Sequence, residues 1–364
     1  MPRAGAKFMM PLKIAVTGAT GLVGSHVVSE AVRRGHKVVA LVRPGSNSEF
    51  LDSLSVQKVV GDLHERAALE RFCRDAHCVV NCAARVGDWG KLGDFRRDNV
   101  DALGLLLDTA SKTGVQRFVQ ISSLGVYEPR DHFGTNEETL PAMNSLDAYT
   151  RSKTEAEVLL LAYANSAAGI FEARYGKNVV MLPHARQVLR NSELAPRDRI
   201  SHVTILRPGF IYGERDRTVI PKLSRALLNK KFVFFGPGTQ AMNSVYAGNI
   251  AQAVFLAMES ENSAGHVFNL TDGVAVSKRD FVEVVAAKLG LDLPERSIPL
   301  AVAWPLAVAV HEAARLLGAK NPPLINKARF KFLGLHLDFS IKKAKEILGY
   351  DPDPDWRTLL ARSI

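Results

Sequence analysis

The sequence predicts an α/β protein, a doubly wound parallel sheet followed by a smaller C-terminal domain. Three observations lead there. Short apolar runs at Ile14–Val16, Lys37–Val42 and Cys78–Ala84 alternate with helix-like stretches, the rhythm of βαβ units. Glycines at 18, 21 and 24 stand between the first run and a helical pattern. The chain's 364 residues exceed what one average domain needs and leave material for a second.

In Lys13-Ile-Ala-Val-Thr-Gly-Ala-Thr-Gly-Leu-Val-Gly24 each glycine has a task. Gly18 permits the tight turn, Gly21 lets a phosphate approach the backbone, and Gly24 lets the helix pack on the strand. The amides that open this helix lack intrahelical partners and sit at the positive end of its dipole. They can therefore hold a pyrophosphate. The strand–turn–helix context separates this triplet from a chance glycine turn.

A composition of 47% hydrophobic and 23% charged residues is ordinary for a globular enzyme. The net charge of +10 is dispersed rather than gathered in a block. That sets nucleic-acid binding aside and suits an anionic cofactor or an anionic membrane surface. Cys73, Cys78 and Cys82 do not form a zinc spacing, so no metal is expected. Their odd number argues against a disulfide framework and for a reducing compartment. Residues 1–12 hold no apolar core of signal-peptide length, and Met9 or Met10 offers an alternative start. No run reaches the ~18 apolar residues of a membrane span. The expected location is cytoplasmic, with a peripheral membrane contact left open.

Lys37–Val42 reads as the second strand. Where it ends, dinucleotide folds that prefer NAD usually carry an acidic residue. Here stands Arg43, whose guanidinium suits a 2′-phosphate, so NADP is preferred over NAD unless Arg43 simply faces solvent. The third strand leads to Asp62, placed either to reach an adenine amino group or to cap the helix starting near Glu65. The fourth, Cys78–Ala84, ends in small residues that leave room for a nicotinamide ribose. A helix over Asp98–Lys112 turns Leu103, Leu106, Leu107 and Ala110 inward. Asn99 near its start is set to hold a buried water or a backbone group. The fifth strand, Arg117–Ser123, ends in two hydroxyls, and the loop at about 128–144 is long enough to be functional. A helix over Ala148–Tyr163 then places Tyr149 and Lys153 at i and i+4 on one face. An ammonium near a phenol favours the phenolate and lowers the tyrosine pKa. Tyr149 can then exchange a proton with a carbinol while Ser123 orients the same oxygen.

Three separated motifs agree. Thr17-Gly-Ala-Thr-Gly-Leu-Val-Gly24, Ser122-Ser123 and Tyr149-Thr-Arg-Ser-Lys153 resemble the cofactor turn, serine strand and catalytic pair of one family. That family is the extended short-chain dehydrogenase/reductases of the NAD-dependent epimerase/dehydratase superfamily. Leu206-Arg-Pro-Gly-Phe-Ile-Tyr-Gly213 is similar to its segment after the sixth strand, and the resemblance covers about 13–164 and 203–350. It implies a Rossmann-type doubly wound parallel sheet over 12–235 that binds NAD(P). A smaller C-terminal α/β substrate domain would occupy 236–364, with some segments returning to the first domain. Catalysis would fall to Ser123, Tyr149 and Lys153. The cofactor would lie along Gly18, Thr20, Gly21, Leu22 and Val23, and then Arg43, Asp62 and Leu63. Ala83, Ala84, Pro208, Tyr149 and Lys153 would flank its nicotinamide end. Arg85, Val86, Tyr127, Met242 and Tyr246 would face a small-molecule, lipid-like substrate. A homodimer through the helices near 98–112 and 146–163 is a further implication.

Within the family, nucleotide-sugar enzymes normally carry an arginine and then an aspartate where this chain has Met242 and Asn243. The arginine grips the substrate pyrophosphate, a bidentate contact methionine cannot replace. Val245-Tyr246-Ala-Gly-Asn249 and Val267-Phe-Asn-Leu-Thr-Asp272 resemble instead the 3β-hydroxysteroid dehydrogenase branch. Ile298–Val310, with Trp304 and Pro305, is too short to span a bilayer. It is either a helix packed in the small domain or an interfacial segment that collects a lipid-like substrate. Ala344-Lys-Glu-Ile-Leu-Gly-Tyr350 resembles the closing helix of both branches. The stretch Asn165–His202 departs from the family as an insertion. Val179–Leu182 reads as a strand and Ala185–Leu194 as a helix. A surface loop, a lid, an oligomer contact and a basic membrane patch all stay open for it.

The leading expectation is an NAD(P)-dependent oxidoreductase interconverting a secondary alcohol and a ketone on a bulky apolar, 3β-hydroxysteroid or sterol-like substrate. A nucleotide-sugar epimerase or dehydratase with retained NAD is the alternative. A non-enzymatic dinucleotide sensor is disfavoured because Ser123, Tyr149 and Lys153 are all present.

Overall fold

The computed structural model describes residues 11–142, 147–165, 184, 187–188, 200–319, 321–323 and 325–364. Among them, strands β1 (Lys13–Thr17), β2 (Lys37–Val42), β3 (Gln57–Val60) and β4 (Cys78–Asn81) share one sheet with three later strands. These are β5 (Arg117–Ile121), β6 (His202–Pro208) and β7 (Val267–Leu270). The order is β7-β6-β5-β4-β1-β2-β3 and every pairing is parallel. It reverses between β1 and β4, so a crevice opens there at the carboxyl ends of the strands. The central strands are apolar throughout because both faces of a parallel sheet are covered. Ile14, Ala15, Val79 and Val80 are fully buried.

The helices that matter for the site are α1 (Leu22–Arg33), α2 (Arg66–Cys73), α3 (Ala102–Lys112) and α4 (Ala148–Asn165). Further along come α5 (Ala247–Glu259), α6 (Leu300–Leu316) and α7 (Lys327–Leu333). α1 and α5 cover one sheet face in a core with Ile14, Val80 and Leu206. α2, α3 and α4 cover the other with Ala15, Val79 and Phe118. A separate C-terminal core gathers Tyr212, Met242, Phe281, Val285 and Trp356. α4 is buried all round within this single chain, from Thr150 and Ser152 to Tyr163. Part of its cover with α3 is Val188, which presses so closely that a Cβ on Gly104 would stand 2.4 Å from Val188 Cγ1.

Three expectations change, and a fourth lies mostly outside the described residues. The helix expected from Asp98 starts earlier, at Leu92–Arg96, and passes through a π turn, Arg97–Asp101, into α3. The widened turn directs Asn99 inward, where its Oδ1 accepts from Arg85 N at 2.7 Å and its Nδ2 donates to Ser152 Oγ at 2.9 Å. The loop at 128–144 carries a strand, His132–Thr135, paired in parallel with Leu337–Phe339. A partner some two hundred residues away leaves no local pattern. Asp62 does not cap α2: Glu65 holds the N-cap position without a side-chain bond, and Asp62 Oδ1 accepts from His64 N at 3.1 Å within the turn. In the insertion, His184, Gln187 and Val188 are helical. The rest of the expected helix and the expected strand Val179–Leu182 lie outside the described residues.

Candidate active site

The crevice floor is backbone. Gly18 has a φ of +62°, and a Cβ there would stand 2.8 Å from Ala83 N. A Cβ on Gly24 would meet Gly18 O at 2.2 Å. The start of α1 therefore lies hard against both the β1 turn and the end of β4. Gly21 is its N-cap, and no side chain caps it. That leaves the amides of the first turn, around Leu22 and Val23, directed at the crevice, a fit for a pyrophosphate. Thr20 is partly exposed in the same turn. A polar ladder ties the strand ends below. Thr17 Oγ1 donates to Asn81 Oδ1 and accepts from Ala83 N at 3.1 Å, and Asn81 Nδ2 donates to Gln120 Oε1 at 2.9 Å. Ala83 and Ala84 remain partly open above it, while Pro208 is buried at the end of β6. Arg43 is exposed in the turn that follows β2, Asp62 is partly exposed, and Leu63 packs under α2.

The proton-transfer groups meet at the ends of β5 and α4. Ser123 stands two residues past β5 and opens a one-turn helix, Leu124–Val126, its Oγ accepting from Gly125 N at 3.0 Å. Tyr149 stands in the first turn of α4 with Ser123 hydrogen-bonded to it, and Lys153 follows one turn later. Asp147 caps this helix, its Oδ1 accepting from Thr150 N at 2.6 Å. The electrostatics differ from the sequence argument, which set an ammonium beside the phenol to pull its pKa down. Lys153 Nζ donates instead to Ile121 O at 3.0 Å. Burial pushes the Tyr149 phenol up to about 12, against the lowering effect of the Ser123 hydrogen bond. Burial also brings Lys153 down to about 8, with Glu157 opposing.

Behind this pair lies a network the sequence reading missed. Glu157 and Arg207 are each 1% exposed. Arg207 Nε donates to Glu157 Oε1 at 2.9 Å, and Ser122 Oγ donates to the same carboxylate. Arg207 Nη1 donates at 2.7 Å to Tyr127 OH, which donates at 3.0 Å to Asn269 Oδ1. The signal was there: Glu157 lies on the helical face of Tyr149 and Lys153, at i+8 and i+4, and Arg207 is a lone charge in an apolar strand.

The residues expected to face substrate are placed unevenly. Arg85 forms an ion pair with Asp98 at 2.9 Å and lies over the Phe95 ring, which stands edge-on to Tyr149 at 6.4 Å. Val86 is exposed beside it. Tyr127 is fully buried with its hydroxyl committed to Asn269 and Arg207. Met242 is buried in the C-terminal core. Tyr246 OH donates to Glu214 Oε2 at 2.7 Å. Among the described residues no cluster of His, Cys, Asp and Glu could hold a metal.

A crevice for a dinucleotide, closed by hydroxyls and an ammonium able to move a proton, defines a nicotinamide-dependent oxidoreductase. The model of the NAD dependent epimerase/dehydratase family matches residues 14–271, and the chain belongs to that family, as an extended short-chain dehydrogenase/reductase. It is 26% identical over 349 residues to a sterol-4-alpha-carboxylate 3-dehydrogenase (decarboxylating) of Dictyostelium discoideum, spanning 92% of this chain and 94% of that protein. It is also 26% identical to a 4-hydroxy-2-methyl-3-oxo-4-farnesyl-3,4-dihydroquinoline-1-oxide ketoreductase of Stigmatella aurantiaca, over 92% of this chain and 90% of that one. Among solved structures, a UDP-glucuronic acid 4-epimerase of Bacillus cereus, in complex with UDP-glucuronic acid and NAD, superposes with a TM-score of 0.66. At 21% identity, it covers 97% of this chain and 98% of its own and shares the fold.

Proposed function

We propose that the protein is a ketoreductase or dehydrogenase that interconverts a secondary alcohol and a ketone on a bulky apolar, sterol-like substrate. The observation that carries this is Met242. Where sugar-nucleotide enzymes of the family need a guanidinium, this chain places a methionine in an apolar cluster with Phe234 and Phe281. Two relatives, one named for a sterol carboxylate and one for a farnesylated ketone, support the same class. A nicotinamide cofactor held along Gly18, Gly21 and the first turn of α1 would supply or accept the hydride. Ser123 holds the reacting oxygen. Tyr149, pushed up to about 12, keeps its proton at neutral pH, which suits donation to a ketone oxygen. An arginine at position 43, where dinucleotide folds that prefer NAD usually carry an acid, supports a preference for NADP.

A peripheral membrane contact fits the same reading. α6 buries Ala303 and Ala307 but exposes Val302, Trp304 and Leu306. So it packs in the small domain through its small residues and presents its large ones outward. No helix among the described residues is long and apolar enough to cross a membrane. The cover over α3 and α4 within one chain argues against pairing two copies through those helices.

The test follows NADPH absorbance on adding a 3-ketosteroid, with Tyr149→Phe as control. Turnover should fall about 10²–10⁴-fold in the variant. No net oxidation, with a retained cofactor and interconversion of UDP-sugars, would move the protein to the epimerases.

A further inference from the structure

α7 belongs to the C-terminal part yet reaches the catalytic turn. Lys331 Nζ donates to Gly125 O at 2.7 Å and lies 3.4 Å from Tyr127 O and 3.5 Å from Thr150 Oγ1. Three acceptors match the three protons of an ammonium. Gly125 is the residue whose amide donates to Ser123 Oγ, and Thr150 adjoins Tyr149. Thr150 Oγ1 also donates to Gly125 O at 3.3 Å. One side chain thus joins the turn that carries Ser123 to the helix start that carries Tyr149. Burial lowers the Lys331 pKa, and the charge of Asp147, the cap of α4, acts against that.

α7 is itself clamped to two other walls of the crevice. Asn326, its N-cap, donates to Asp88 Oδ2 at 3.1 Å, and Arg329 stands 3.5 Å from the same carboxylate. Asp88 lies in the segment that leaves β4. Phe332 stacks on Phe210 at 4.3 Å, two residues past Pro208. The helix therefore senses the loop after β4, the segment after β6 and the catalytic turn together.

We infer that Lys331 is a positioning residue: its bridge from α7 to Gly125, Tyr127 and Thr150 holds Ser123 and Tyr149 in register, and makes that register depend on α7 being seated over the crevice. The inference rests on Ser123 and Tyr149 acting as proposed above. The test is Lys331→Cys, followed by alkylation with bromoethylamine, which restores an ammonium at nearly the native reach. Burial pushes the thiols of Cys73, Cys78 and Cys82 up to about 12, which shields them, and intact mass of labelled wild type and variant shows whether the adduct is confined to position 331. Lys331→Cys should speed amide exchange in 123–127 and 148–152 and lower kcat for a 3-ketosteroid with NADPH at least about tenfold, with NADPH affinity nearly unchanged. Alkylation should reverse both. Unchanged exchange and kcat, or a loss that alkylation leaves in place at wild-type Tm, would overturn the inference. Lys331→Arg serves as a second variant if the cysteine chain does not fold. Should wild type turn over no ketone, the functional reading fails, while the exchange arm still decides whether the bridge orders the turn.

Discussion

The two walls of the crevice are built by different physics. The dinucleotide wall is backbone against backbone: Gly18 and Gly24 bring α1 onto the ends of β1 and β4 with no room for a methyl group. The opposite wall is side chains from distant segments. Glu157 reaches Arg207, Lys331 reaches Gly125 and Asn326 reaches Asp88. The first wall is shaped before any ligand arrives and is sensitive to volume. The second is held by charge and hydrogen bonds, tolerates small changes of volume and is sensitive to loss of a partner.

The largest expected effect lies in the second wall. Glu157→Gln leaves Arg207 buried without its counter-charge and should cost about 3–5 kcal/mol in urea denaturation. Replacing both members with apolar residues, Glu157→Leu with Arg207→Met, should recover most of that, because the penalty comes from the unpaired charge. A loss under ~1 kcal/mol for Glu157→Gln would erase the contrast between the walls.

Next comes the backbone wall. Gly18 and Gly35 both have positive φ, +62° and +80°, but only Gly18 has neighbours where a Cβ would go. Gly35→Ala should cost ~1–2 kcal/mol for the left-handed conformation alone. Gly18→Ala should cost more and weaken NADPH binding, measured by fluorescence titration, while Gly35→Ala leaves binding intact. Equal effects at both sites would mean that conformation, not close approach, decides the first wall. A smaller effect is expected at its rim. Arg43→Asp should shift the ratio of NADPH to NADH affinity by about tenfold toward NADH.

This contrast also explains what the sequence could tell. The backbone wall is written in consecutive residues: the apolar runs of β1, β2 and β4 and three glycines at fixed spacing; the helical pair Tyr149 and Lys153, one turn apart, is equally local. Periodicity and spacing suffice to read them. The NAD-dependent family and the parallel sheet follow from the same signals. The side-chain wall joins residues from about 50 to 240 positions apart, and no local pattern announces that Lys331 meets Gly125 or that Asn326 meets Asp88. The strand His132–Thr135 was hidden for the same reason, since the strand it pairs with is the distant Leu337–Phe339. The lowered pKa expected for Tyr149 went wrong on burial, which spacing does not reveal. An i+4 lysine was placed correctly on the helix, but its ammonium turns to Ile121 O.

Two buried lysines allow a last test, one in each part of the chain. Lys153 is brought down to about 8 and Lys278, which donates to Ala241 O at 3.1 Å, to about 7, both chiefly by burial. An unfolded lysine titrates near ~10.4. Below pH 7 both groups are charged in either state, and the folded chain carries the full cost of burying them. As pH rises past about 7, folded Lys278 releases its proton while the unfolded chain keeps its own, so stability rises. Lys153 adds to that rise from about pH 8. Tyr149 acts the other way above ~10, where the unfolded phenol ionises and the folded one, at about 12, does not. Lys278→Met should therefore be more stable than wild type at pH 7, on the order of 1–3 kcal/mol, with the advantage shrinking as pH climbs to 10. Lys153→Met should show the same convergence, beginning about one pH unit later. Urea denaturation at successive pH values reads both differences. Advantages that stay constant with pH would mean that both ammonium groups stay charged in the folded chain, held by their carbonyl acceptors.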